Sequence, residues 1–276
     1  MIIIYIYMNK IFQKQYFYFL IVFFIFLLYF ISKFAIKNGH PTCDNYVFNV
    51  YLYLGLSICL VGLFAYAINE FLWKSRNDKN NPMNIKEIIN SLGMYYFLSL
   101  IVSFILVISI AYRSLYSLDG HIVNHVLWIL FILSISVMIY PLFKDEKTYE
   151  NVDNALLSTS IIFILMSCVV YIFPGFFEKT YNFMIVGLLI GLIAIIIVQI
   201  VGYFLLRGNP HSNYKGWWKY ITYFIIILFS LFVSYDTIAI FREAKNCKNY
   251  PNYPKSSINF FLDILNLFVS LMNSYS

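Results

Sequence analysis

Long apolar stretches recur along the whole chain, and this feature constrains the fold more than any other. Eight such segments can be drawn, at residues 16–36, 46–73, 91–112, 122–143, 155–175, 182–206, 224–241 and 258–272. An apolar stretch of about 18 or more residues is long enough to cross a bilayer as an α-helix. Strands of a membrane β-barrel would alternate apolar and polar residues, whereas these runs are continuous. The sequence therefore predicts an all-α integral membrane protein that crosses the bilayer several times.

The composition agrees with this fold class and gives no sign of a nucleic-acid partner. Of the 276 residues, 61% are hydrophobic and only 12% are charged, against about 25% charged in an ordinary soluble domain. The net charge of +6 is spread over short connections, without a basic block interleaved with aromatic residues. The partner that this composition predicts is the lipid bilayer.

The sequence contains no motif typical of a catalytic site. It has no nucleophile elbow, no HExxH zinc motif and no glycine-rich phosphate loop. Intramembrane proteases use two aspartates, but the aspartates described next lack the GxGD-type context of those enzymes. We therefore predict a protein that is not an enzyme and has no cofactor.

Two aspartates lie within the last two apolar segments. Asp236 belongs to FIIILFSLFVSYDTIAIF and Asp263 to INFFLDILNLFVSLM. A carboxylate at hydrocarbon depth costs roughly 2.5–3.5 kcal/mol on insertion scales, so both residues are functional candidates. Asp236 lies six residues before Arg242, and Asp263 lies seven residues after Ser256. If the two segments are antiparallel helices, both carboxyls lie about 9–10 Å inside the same face of the membrane and can touch.

A pair of carboxyls in contact has a chemistry of its own. At low dielectric the two groups do not both ionise readily, and they titrate as a unit. While they share one proton, a hydrogen bond between them can hold the two helices together. Without that proton the two charges repel, which pushes the helices apart or recruits a cation. The structural alternative is a buried pair that only fixes helix packing.

The eighth segment also carries a polar stripe with helical spacing. Because such a stripe cannot face lipid, it is expected to face the bundle interior or a water-filled cavity. We interpret Asn259, Asn266 and Ser270 as lining an ion pathway. The members of the stripe are Asn259, Asp263, Asn266, Ser270 and Asn273.

The four cysteines have no spacing typical of a metal site. Cys59 and Cys168 fall within apolar segments and are expected to be packed side chains. Cys43 and Cys247 lie in polar connections that this topology places on one side of the membrane. A disulfide between them requires an oxidising environment on that side, and the sequence leaves open whether it forms.

Three other local patterns predict structure rather than chemistry. His121 and His125 are four residues apart, but nothing nearby completes a metal-ligand set, so we expect solvated histidines at the membrane interface. Gly187 and Gly191 predict a face for close helix packing. Pro174 and Gly175 predict the end of the fifth segment.

The distribution of basic residues bears on orientation. The N-terminus and the connections after segments two, four and six contain 11 Lys and Arg residues, and the remaining connections contain 8. The cytoplasmic side of a membrane protein usually carries the excess, but a difference of three does not decide the orientation. The first segment follows Lys10 and Lys14 and has no small-residue cleavage site, which favours a retained signal-anchor helix.

The C-terminal part of the chain resembles the Bax inhibitor-1 and lifeguard family. The resemblance rests on Tyr235-Asp236-Thr237, on a charged connection that contains EAK, and on FLDILNLFVSLM, residues 261–272. More loosely, NVYLYLGLSICLVGLFAYA is similar to the family's first membrane helix, and GFFEKTYNFMIVGLLIGLI to the start of its fifth. Ile238 departs from the pattern, because the family usually has Gln there. A longer connection between the aspartates is a second departure.

The resemblance implies a seven-helix Bax-inhibitor-like membrane domain over residues 41–276, preceded by the signal-anchor-like helix within residues 1–40. It implies a pH-sensitive calcium leak in the endoplasmic reticulum or another intracellular membrane, with an anti-apoptotic role and with membrane proteins of the cell-death pathway as partners. The resemblance also implies that the two aspartates act as a proton-sharing latch, and that an arginine of the second helix pairs with one of them. Asp236 and Asp263 match the latch, as the pH-sensing and calcium-binding residues, and Arg113 matches the arginine. The family's orientation places residues 242–256 in the cytosol.

Two other functions remain open at this stage. A proton-coupled transporter would also need carboxylates within the membrane. A structural membrane or envelope scaffold would need neither aspartate. A channel passes calcium passively, a transporter needs a proton gradient, and a scaffold does neither.

Overall fold

The computed structural model describes residues 2–68, 92–113, 118–144, 146–206, 214–247 and 251–275. Within these ranges the chain is helical, apart from short connections and one two-stranded hairpin. The elements in chain order are α1 Ile2–Phe34, β1 Ile36–Lys37, β2 His40–Pro41, α2 Tyr46–Ile68, α3 Met94–Tyr112, α4 Leu118–Lys144, α5 Glu146–Ile172, α6 Pro174–Leu206, α7 Tyr214–Asn246 and α8 Tyr253–Tyr275.

The eight helices of the described chain coincide with the eight apolar segments, and each is long and apolar enough to cross a membrane. The all-α, multi-pass membrane fold predicted from the sequence is therefore confirmed. Among these spans α2 and α8 are the most buried, at 56% and 61% of their residues, whereas α1 and α6 are at 11%. The aspartate-bearing α8 is thus an interior helix, which suits its low apolar content.

Several helices are longer than the apolar segments, because polar residues at their ends are also helical. The clearest case is α6, which was predicted to begin near residue 182 and begins at Pro174 instead. Proline is favoured in the first turn of a helix because the N–H groups of that turn have no acceptor within the helix, so the missing N–H of proline breaks no hydrogen bond. Only Phe173 separates α5 from α6. The proline thus ends one helix and starts the next.

The chain forms two compact units. The first contains Met1–Glu146 and Asn246–Ile258, and the second contains Lys147–Lys245 and Asn259–Ser276. The sequence-based division near residue 40 is not tested by these units and stays a prediction.

In the first unit, α1 packs on α2, and α4 packs on both α2 and α3. The contact between α1 and α2 is close at Gly62, where a Cβ atom would lie 2.9 Å from the Leu20 Cδ1 atom. A tight hairpin follows α1, and its two turn residues, Asn38 and Gly39, have φ angles of 53° and 79°. Two successive residues with positive φ are typical of a two-residue hairpin turn, which Asn-Gly favours.

A disulfide joins Cys43, just after this hairpin, to Cys247, just after α7. The possibility left open by the sequence is therefore realised in the structure. Cys59 is buried and Cys168 is exposed, and neither is paired. Cys59 is thus the packed side chain that the sequence predicted, and Cys168 is not.

The second unit is formed by α5, α6, α7 and the greater part of α8. One apolar cluster joins α5, α6 and α7 through Val170, Phe177 and Ile238. Another joins α6 to α7 through Leu188, Ile195 and Leu228. Ile238, the departure from the family pattern, is 2% exposed and so contributes an apolar side chain to the core where the family has a polar one.

Candidate functional site

Asp236 and Asp263 meet in the second unit. The carboxyl group of Asp236, on α7, lies close enough to that of Asp263, on α8, for a hydrogen bond between them. Both residues are buried, with exposures of 8% and 6%. Two carboxylates cannot donate a hydrogen bond to each other, so this contact requires a proton on one of them.

The helices place the two carboxyls at matched depth. Asp236 lies ten residues before the end of α7 at Asn246, and Asp263 lies ten residues after the start of α8 at Tyr253. At a rise of about 1.5 Å per residue, each lies roughly 15 Å from the facing end of its helix. Apolar side chains flank both positions, including the buried residues Ile238, Phe261 and Leu267.

One oxygen of the pair has no partner among the described residues. Asp263 Oδ2 is buried and accepts no hydrogen bond there. A buried carboxyl oxygen in this state is costly unless a proton, a water molecule or a cation reaches it. The pair therefore retains one free acceptor that a cation or water can use.

An aromatic and cationic stack lies next to the pair. The rings of Tyr235 and Tyr181 stack with centroids 4.7 Å apart, and their hydroxyls lie 2.9 Å from each other. The Arg242 guanidinium carbon lies 3.9 Å from the centroid of the Tyr181 ring, and Arg242 Nη2 donates to the Glu178 carbonyl oxygen at 3.4 Å. Glu178 also pairs with Lys245 at 3.5 Å.

This stack brings charge close to the aspartates. Tyr235 interacts electrostatically with both Asp236 and Arg242, and Glu243 interacts with Asp236. The stack was not predicted, because Tyr181 lies 54 residues before Tyr235 in the chain. A partial signal was present, since Tyr235 and Arg242 are seven residues apart and so lie on one face of α7.

Arg113 stays a prediction as the partner of the latch. It directly follows α3, has an extended backbone with ψ of 132°, and is exposed. It belongs to the first unit, whereas both aspartates belong to the second.

The polar stripe on α8 divides into two parts. Asp263 and Ser270 are buried, but Asn259, Asn266 and Asn273 are exposed. These three asparagines therefore do not face the interior of the helix bundle. Asn266 donates to the Leu262 carbonyl oxygen of its own helix at 2.8 Å, which satisfies part of its amide. The alternative, a water-filled cavity beside them, stays a prediction.

The histidines of α4 are not the solvated interfacial side chains that were predicted. His121 is 3% exposed, and His125 is half-buried. His125 Nε2 lies 2.8 Å from the Tyr53 hydroxyl, and its Nδ1 lies 2.8 Å from the His121 carbonyl oxygen. No local pattern predicts this contact, because Tyr53 comes from α2. Within the described ranges, no cluster of three or more His, Cys, Asp or Glu residues suits a metal ion.

Comparison with known proteins identifies the family. No curated protein and no solved structure matches the chain. The sequence model of one family, described as "Inhibitor of apoptosis-promoting Bax1", matches residues 43–275, which includes both aspartates and seven of the eight spans. This match covers most of the chain and agrees with the multi-pass helical fold. The chain is a membrane protein of the Bax inhibitor family.

Proposed function

We propose that this protein is a pH-sensitive calcium leak channel in an intracellular membrane, gated by Asp236 and Asp263, and that it suppresses cell death. The observation that carries the proposal is the buried, hydrogen-bonded carboxyl pair between two membrane-spanning helices. The cellular role is supported by the family description, which names inhibitors of a protein that promotes apoptosis.

The closed state is the one in which the two carboxyls share a proton. The hydrogen bond between them then ties α7 to α8 across an apolar layer. Loss of the proton leaves two negative charges in contact at low dielectric, where their repulsion is stronger than in water. The helices separate, or a cation enters between the carboxylates.

Calcium suits the separated pair because it is a hard cation that binds oxygen ligands. Asp236 and Asp263 would supply carboxylate oxygens, including the unpartnered Oδ2 atom of Asp263. Calcium takes about six to eight oxygens, so water and backbone carbonyls must complete its shell. A site with only two protein carboxylates binds loosely, which suits an ion in transit rather than a resident one.

The direction of the pH effect follows from the proton count. The closed pair holds one proton that the open pair lacks, so raising the pH favours the open state and increases calcium flux. A gate that releases one proton changes its ratio of open to closed states by at most about tenfold per pH unit. Steeper flux would require further titrating groups.

Calcium efflux from liposomes that contain the purified protein tests the proposal. We expect wild-type flux to rise between about pH 5 and about pH 8, and the variants Asp236→Asn and Asp263→Asn to lose most of this rise. Asn can still donate a hydrogen bond to the remaining carboxylate, but it carries no titratable proton. Asp153→Asn, an exposed aspartate on α5, is the matched control and should behave as wild type.

Three results would contradict the gate. Flux that depends on pH equally in both Asn variants would show that the pair is not the sensor. Flux that needs a proton gradient would favour a proton-coupled transporter, which also uses buried carboxyls. The absence of any flux at every pH would favour a structural membrane protein.

A further inference from the structure

The disulfide between Cys43 and Cys247 marks one end of the membrane domain. The Cα atoms of the two residues are 5.9 Å apart, within the usual range for a disulfide. Cys43 lies between the β-hairpin and α2, and Cys247 lies between α7 and α8. Both connections are therefore expected on the same side of the membrane, since six spans separate them in the part of the chain that the structure describes.

Buried hydrogen bonds hold the Cys43 segment in place independently of the disulfide. The Tyr253 hydroxyl donates to the carbonyl oxygen of Thr42, the residue before Cys43. Asn49 Nδ2 donates to the Asp44 carbonyl oxygen and to the Tyr253 hydroxyl, each at 2.9 Å. The Tyr46 hydroxyl lies 3.1 Å from Ser256 Oγ. Asn49 and Tyr253 are at most 1% exposed, so these hydrogen bonds are shielded from solvent.

The distribution of basic residues points to the same side. Of the 19 Lys and Arg residues, 11 lie at the N-terminus or in connections on the side opposite to the disulfide, and 8 lie on its own side. The side richer in basic residues is usually cytoplasmic. Disulfides persist in oxidising compartments and are rare in the cytosol. The disulfide therefore carries the argument and places this end away from the cytosol, while the small excess of basic residues on the opposite side agrees with it without deciding it.

We infer that the end of the domain that carries Cys43 and Cys247 faces an oxidising compartment, and that Asp236 and Asp263 exchange their proton with that compartment rather than with the cytosol. This orientation is opposite to the one that the family resemblance implies for residues 242–256. The part of the inference that concerns the proton rests on the proposed function, whereas the orientation does not.

The position of the pair supports access from this side. Asp236 is ten residues from the Asn246 end of α7 and 22 residues from the Tyr214 end. The charged groups near the pair within the described ranges also lie toward the Asn246 end. They are Arg242, Glu243 and Lys245 on α7, with Glu178 on α6, whereas the stacked rings of Tyr235 and Tyr181 lie beside the pair.

Thiol alkylation of the full chain tests the disulfide. In a Cys59→Ala, Cys168→Ala background, only Cys43 and Cys247 remain. After free thiols are blocked in intact cells, reduction should release two thiols that react with a polyethylene glycol maleimide and produce a two-step mass shift. Two thiols that already react before reduction would overturn the inference.

Glycosylation tags in endoplasmic reticulum microsomes test the orientation. A sequon on a flexible spacer, inserted between Asn38 and Gly39 at the exposed hairpin tip, should be glycosylated. The same sequon appended after Ser276 should not be, because α8 returns the chain to the opposite side. Sequons with Asn replaced by Gln are the controls. The reverse pattern would place the disulfide end in the cytosol and overturn the inference.

The two proposals fail in different ways. In liposomes sorted for one orientation, pH is changed on a single side with impermeant buffer. We expect calcium flux to follow the pH on the Cys43 side, and flux that follows only the opposite pH would overturn the proton part of the inference. Calcium flux that does not change with the pH on either side contradicts the proposed gate. The glycosylation tags determine the orientation in either case.

Discussion

Asn49 and Tyr253 illustrate how single residues hold the first unit together. Asn49 is fully buried, and the two N–H groups of its amide lie within hydrogen-bond distance of three acceptors, the Phe34 carbonyl oxygen at 3.1 Å, the Asp44 carbonyl oxygen and the Tyr253 hydroxyl. These contacts connect the end of α1, the loop after the hairpin, α2 and the start of α8. A buried polar group left without its partner costs roughly 1–3 kcal/mol, so each member of the set is sensitive to substitution.

Replacing Tyr253 with Phe should therefore destabilise the protein. The change removes the donor to the Thr42 carbonyl oxygen and the acceptor of Asn49, while it preserves the aromatic packing on Tyr53. We expect a loss of about 1–3 kcal/mol, seen as a lower midpoint of thermal unfolding in detergent. Tyr18→Phe, at an exposed position, is the control. Equal midpoints for the two variants would show that the network contributes nothing to stability.

At this scale the sequence predicted the aspartate pair but not its surroundings. Asp236 and Asp263 are conspicuous because each is a carboxylate in an apolar segment, and helix rise alone gives their depth. The stack of Arg242 on Tyr181 depends on how α6 packs on α7, which no local pattern encodes. The burial of His125 depends in the same way on Tyr53 of α2.

Among the helices, α6 and α7 show how backbone approach depends on single glycines. A Cβ atom at Gly191 would lie 2.9 Å from Leu228 Cδ1, whereas one at Gly187 would meet nothing within 4 Å. The predicted small-residue face is therefore used at one of its two positions. The end of the Leu228 side chain can move to accommodate the single methyl group of alanine at position 191, but a β-branched side chain there needs more space.

Gly191→Val should thus destabilise the second unit, and Gly187→Val should not. Overpacking typically costs about 1–3 kcal/mol, and the two substitutions add the same side chain to the same helix. Thermal unfolding in detergent, compared between the two variants, isolates the packing effect from helix propensity. A Gly187→Val variant as unstable as Gly191→Val would show that the approach of α7 is not the cause.

The existence and number of the helices followed from the sequence, because seven apolar runs of membrane-spanning length and a shorter eighth have few other outcomes. The positions of the helix ends were predicted less accurately. The first turns of α6 contain Glu178 and Lys179, which read as a polar connection, yet the Pro174 N-terminus makes them helical. The hydropathy of a segment reports where lipid begins, and a helix can extend past that point into the interface.

For the molecule as a whole, the disulfide is the one covalent link between distant parts of the chain. Replacing Cys43 and Cys247 together with Ser should lower stability by roughly 2–5 kcal/mol, as removal of a native disulfide usually does. Thermal unfolding under oxidising conditions measures the loss, and Cys168→Ser is the control for an unpaired thiol. Wild type with reductant should unfold like the double variant. A double variant as stable as wild type would show that the hydrogen bonds around Tyr253 suffice.

The same link also has a consequence for how the protein is made. Cys43 and Cys247 are separated by 204 residues, and six further spans are synthesised between them. At about 5–20 residues per second, Cys43 waits on the order of 10–40 s on the ribosome-bound chain before its partner exists. During that interval the Cys43 thiol can react with oxidoreductases. A chain whose synthesis stops before α7 is complete retains Cys43 as a free thiol. On the orientation inferred above, a free Cys43 thiol is thus a chemical mark of an unfinished molecule in the oxidising compartment.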